Sequence, residues 1–70
     1  MKLIDAVELT KNEEGTKYTK TLSIREKESF LNTKKCGFIT DEMYDYCERH
    51  GDWDVRVICN DKNKVVVQLV

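Results

Sequence analysis

The sequence predicts an α+β domain. We expect a four-stranded antiparallel sheet from two β-hairpins, with one or two short helices on one face, in the order β-β-α-α-β-β. Two segments of alternating apolar residues flank the turn sequences Asn12-Glu13-Glu14-Gly15 and Asn60-Asp61-Lys62-Asn63. Helix-capping residues stand between them. At 70 residues the chain has room for one such layered unit, so residues 1–70 are read as a single domain.

The first turn sets a register. Gly15 in the left-handed region closes a three-residue loop and pairs Asn12 with Thr16. Ile4 then faces Ile24, Ala6 faces Leu22 and Glu8 faces Lys20, which predicts strands at 2–10 and 16–24. The second turn, with Asn63 as the left-handed residue, sets Val55 against Leu69, Val57 against Val67 and Cys59 against Val65. Trp53 shares that face, and the strands are expected at 53–59 and 64–70.

Between the hairpins, Thr40 is an N-cap, Asp41 and Glu42 suit the positive end of a helix, and Gly51 suits the position just past its C-cap. These signals predict a helix over 41–50, with Ile39 and Tyr44 as a hydrophobic staple. At ~100° per residue, Met43, Tyr46, Cys47 and His50 share the stripe that faces the sheet. A shorter helix is expected over 26–36, with Phe30 and Leu31 as its large apolar residues and Gly37 as its stop.

Composition excludes several classes. No apolar run approaches ~18 residues, so no membrane span is expected. Asp5 interrupts the start too early for a secretory signal, and three cysteines make a disulfide framework improbable. A reducing cytoplasm is the expected compartment. Apolar residues make up 40% of the chain and the net charge is −1, which argues for a folded domain.

Few constellations could carry chemistry. His50 is the sole histidine and follows Cys47 by three positions, so the two are helical neighbours. A buried small apolar thiol beside a helix-end imidazole explains them better than nucleophilic catalysis does, and no enzyme is expected. Cys36, Cys47, His50 and Cys59 would make a Cys₃His zinc set, but no two of them form a tight C-x₂₋₄-C knuckle. No cofactor is expected, and a zinc-stabilised structural domain is the third reading. Gly15, Gly37 and Gly51 are isolated, so there is no phosphate loop.

Charge is the informative feature. Residues 41–54 hold six acidic residues and one arginine, a net of −5, whereas 11–35 hold seven basic and four acidic residues, a net of +3. Asp41, Asp45 and Glu48 lie within ~40° of one line on the helix, opposite the apolar stripe. An ordinary solvated helix face mixes signs. The expected partner-binding residues are therefore Asp41, Tyr44, Asp45, Glu48 and Asp52, docking on a basic surface of a larger protein. This describes a non-catalytic binding module, an inhibitor or adaptor, in the style of an accessory protein of a virus or mobile element. Nucleic-acid binding through 11–35, with Tyr18 and Phe30 interleaved among lysines, is the second reading, weakened by Glu13, Glu14, Glu26 and Glu28. A homodimer through an exposed sheet edge is a further expectation, because Val65–Val70 carries little charge to guard it.

Overall fold

Leu3, Ala6, Val7 and Thr10 recur at helical rather than strand spacing, and all four are fully buried. In the computed structural model, which describes residues 1–29 and 31–70, this segment is a helix, α1 (Leu3–Glu8). It replaces the strand expected over 2–10. The remaining elements are β1 (Thr21–Arg25), β2 (Thr33–Phe38), α2 (Asp41–Arg49), β3 (Val55–Asn60) and β4 (Lys64–Leu69). The observed order is thus α-β-β-α-β-β.

The α+β class, the four-stranded sheet and its assembly from two hairpins all hold. The sheet is mixed rather than wholly antiparallel. Its strand order is β2-β1-β4-β3. β1 pairs antiparallel with β2 and β3 antiparallel with β4, while the inner strands β1 and β4 run parallel, with Leu22 opposite Val65 and Ile24 opposite Val67. The expected edge run Val65–Val70 is largely interior, because β4 sits between β1 and β3; β2 and β3 are the edges.

The first turn forms as expected, without the long hairpin. Gly15 has φ 72°, its N–H donates to the Asn12 carbonyl at 3.0 Å, and the Asn12 N–H donates to the Lys17 carbonyl at 2.8 Å. The pairing is Lys11 with Tyr18, one step from the expected register, and stops there because α1 takes the preceding residues. The segment expected as helix 26–36 instead supplies β2, whose Thr33, Cys36 and Phe38 favour strand and whose Lys34 and Lys35 guard an edge. Phe30 lies outside the described residues. Leu31 is 83% exposed, so it anchors no helix face.

The second hairpin begins in the expected register: Val55 pairs with Leu69, Arg56 with Gln68 and Val57 with Val67. A bulge between Val57 and Cys59 then shifts Cys59 onto Val66 and Asn60 onto Val65. The extra residue lets the turn close without the left-handed Asn63 that the sequence suggested, since no non-glycine residue has positive φ among those described. Asp61 holds the turn instead. Its Oδ1 accepts the backbone N–H groups of Asn63 and Lys64, both at 2.9 Å.

Those two amides hold the Asp61 carboxyl below the usual carboxylate range, the Asn63 amide contributing most. A carboxyl depressed in the folded state adds stability above its unfolded pKa and loses it as pH falls through its folded value. Asp61→Asn keeps an oxygen for both amides and removes the titration. Its thermal midpoint should decline less steeply below about pH 4 than that of the native chain. Identical acid slopes in the two proteins would exclude this role.

One cluster forms the core. Leu3, Ala6 and Val7 of α1, Met43 and Cys47 of α2, Leu22 and Ile24 of β1, Val65 and Val67 of β4 and Val55 of β3 pack together. Both helices therefore cover the same face of the sheet. The α1 amino end is held by the segment after α2: the Leu3 N–H donates to the Trp53 carbonyl at 2.8 Å and the Ile4 N–H to the Gly51 carbonyl at 3.3 Å.

Candidate functional site

Helix α2 is set as its sequence implies. The Thr40 hydroxyl accepts the Met43 N–H at 3.2 Å, the expected N-cap. Met43 and Cys47 turn into the core. That rotation leaves Asp41, Glu42, Asp45 and Glu48 exposed, and Asp52 is exposed just beyond the helix. Four of the five expected partner-binding residues are thus acidic, water-facing and close together in the chain.

The fifth, Tyr44, is half-buried and packs against the core. Its ring centroid lies 6.3 Å from that of Tyr18. It borders the ridge rather than projecting from it. Glu42 is exposed on the side of α2 next to β2, where it lines a depression with Phe38.

Own-chain neutralisation is slight. Asp45 meets Arg49 one helical turn on, Nε to Oδ2 at 3.0 Å. This is an exposed pair, of a kind that contributes little. Among the described residues, no ion pair involves Asp41, Glu42, Glu48 or Asp52.

The end of α2 carries a ring cluster that spacing alone did not reveal. His50 stacks on Trp53 with centroids 4.0 Å apart and planes 14° apart. Tyr46 meets the His50 ring edge-on at 4.8 Å. Lys34 lies 5.4 Å from the Trp53 centroid and Lys35 lies 5.3 Å from that of Tyr46. Both contacts fall within cation–π range. Trp53 is therefore fixed among its own neighbours, and Tyr46 and His50 are half-buried rather than fully enclosed.

The basic segment 11–35 is dispersed by the fold. Lys11 pairs with Glu8 at 2.7 Å, Lys34 with Glu26 at 3.8 Å, Lys20 donates to Asn60 at 2.9 Å and Arg25 donates to Thr33 at 2.6 Å.

The thiols are separated too. Cys36 is exposed on β2, Cys47 buried under α2 and Cys59 half-buried on β3, where its Sγ lies 3.7 Å from Asp61 Oδ2. Among the described residues, no three His, Cys, Asp or Glu side chains converge as a metal site. Burial pushes the Cys47 thiol up to about 11. An activated catalytic thiol is shifted the other way. A maleimide at neutral pH should label Cys36 first and Cys59 more slowly. Cys47 should react only on unfolding, as read by mass spectrometry of quenched samples; rapid native labelling of Cys47 would contradict its burial.

Comparison with protein-family models, with curated proteins and with solved structures finds no match. No helix among the described residues is long and apolar enough to cross a membrane. The fold and site define a small α+β domain with a carboxylate-bearing helical layer.

Proposed function

We propose that the chain is a non-catalytic protein-binding module that docks the acidic face of α2 on a basic surface of a larger protein, as an inhibitor or adaptor. The observation that carries this reading is the unpaired acidic ridge: Asp41, Glu48 and Asp52 are exposed without an ion-pair partner among the described residues. Adjacent like charges cost helix stability. A basic partner would relieve that repulsion and be drawn in from a distance, with an on-rate that falls as salt rises. The exposed edge of Tyr44 would supply apolar contact at the margin.

The test is capture from an extract of the native host cell, read by quantitative mass spectrometry. Asp41→Lys with Asp45→Lys places both changes on exposed side chains and leaves the core intact. This variant should lose the proteins that the native chain captures, and circular dichroism should show it folded. Glu13→Lys with Glu14→Lys on the 12–15 turn, outside α2, makes the same change in net charge and should keep them. Equal capture by the α2 variant, or equal loss in the turn variant, would overturn the proposal.

A further inference from the structure

The opposite side of the molecule has a separate chemistry. Because Leu22, Ile24, Val65, Val67 and Val55 turn toward the helices, strand alternation sends Thr21, Ser23, Arg25, Cys36, Phe38, Lys64, Gln68 and Arg56 to the other face. No helix among the described residues covers that face. Ser23 and Val66 are nevertheless buried in its floor.

The four strands contain five basic residues, Arg25, Lys34, Lys35, Arg56 and Lys64, and no Asp or Glu. The two helices contain Asp5, Glu8, Asp41, Asp45, Glu42 and Glu48 against Arg49 alone. Charge is thus sorted by layer, which the near-zero total hides. Of the bordering carboxylates, Asp61 accepts two backbone amides and Glu26 faces Lys34, while Glu42 lines one depression with Cys36 and Phe38 at the β2 edge.

The functional groups of the open face are ordered. Arg25 and Arg56 flank Gln68, whose Oε1 accepts from Arg56 at 3.3 Å. At the other end stand Lys64 and Phe38, each paired with Thr21. Phe38 is 60% exposed. An exposed aromatic ring beside cationic side chains offers a base a stacking surface.

We infer that this sheet face binds single-stranded nucleic acid, with Arg56 and Lys64 facing phosphates and Phe38 stacking an unpaired base. Size favours this occupant over a protein. Four strands ~4.8 Å apart and ~20 Å long present about 300–400 Å², half or less of what each side of a stable protein interface buries. The same area suits a segment of about four nucleotides. Duplex is disfavoured, because a flat four-stranded sheet is too wide for a ~12 Å major groove and stacking requires unpaired bases. The inference uses a face that meets the α2 layer where Phe38 and Glu42 line one depression, and its test alters no residue of α2.

The test is fluorescence anisotropy with labelled eight-nucleotide oligo(dT) and oligo(U), in 20 mM and 200 mM salt. Both should bind the full chain, and binding should weaken several-fold or more between the two salt concentrations. Arg56→Gln with Lys64→Gln should weaken binding at least tenfold and flatten the salt dependence. Phe38→Ala should weaken it roughly tenfold with little change in salt dependence, the signature of lost stacking. Lys17→Gln with Lys35→Gln removes the same charge elsewhere and should change affinity less than threefold. Absence of binding at 20 mM salt would overturn the inference. So would equal losses in the two double variants, or oligoglutamate competing as well as oligo(dT), which would mark a face for acidic protein.

Discussion

Leu22→Ala is expected to destabilise the domain by about 3 kcal/mol, a large share of its total stability. Leu22 is fully buried at the centre of the sheet, opposite Gly37 on one side and Val65 on the other. Neither neighbour can fill the space: Gly37 has no side chain and Val65 is held by the parallel ladder. A cavity therefore persists, and the loss exceeds the transfer energy of the missing methyl groups. A domain of this length has only ~4–10 kcal/mol in total. Urea unfolding followed by Trp53 fluorescence measures the effect. Leu31→Ala, at a residue 83% exposed, should leave the midpoint within error. Similar losses in the two variants would refute this account of the core.

Gly51→Val is expected to cost about 2 kcal/mol by overpacking. A Cβ at position 51 would lie 3.1 Å from the Ile4 Cβ and 3.2 Å from the Glu48 carbonyl oxygen. The added methyl groups would push α1 off the end of α2 and strain the Ile4 N–H bond to the Gly51 carbonyl. A glycine just past a helix C-cap is commonly left-handed, but the φ of Gly51 is not positive and its use is close approach. The two roles separate experimentally. Asparagine tolerates left-handed backbone, so Gly51→Asn would retain native stability if conformation mattered. It should instead be at least as damaging as Gly51→Ala, as read from denaturation midpoints.

The legible parts of the fold were those with a local cause. Thr40 with two acidic residues behind it specified the start of α2, and the Val55–Leu69 alternation specified the register of β3 against β4 until the bulge. The misread parts turned on ambiguous periodicity. Leu3-Ile4-Asp5-Ala6-Val7 fits a short helix or a strand, and the turn at Asn12–Gly15 tipped the reading toward a strand. Residues 26–36 are rich in Lys and Glu, good helix formers, yet Thr33–Phe38 found a partner in β1 and tertiary pairing outweighed propensity.

The candidate surfaces divide in the same way. The acidic ridge was readable because one helix carries most of it. The cationic sheet face was not, because Arg25, Phe38, Arg56 and Lys64 are gathered from four strands whose order no local pattern discloses. The stacking of His50 on Trp53 depends equally on how the chain leaves α2.

The strand that joins the two halves of the sheet follows the other three in chain order. Until Lys64–Leu69 emerges, a nascent chain has one hairpin, two helices and no seam to hold them, since β1 finds its parallel neighbour 43 residues downstream. Such distant pairing makes folding slow for so small a chain and delays it until translation has passed this point. Any binding activity of either face would accordingly appear in one step with the finished sheet, and a ribosome stalled short of Val65 would display neither.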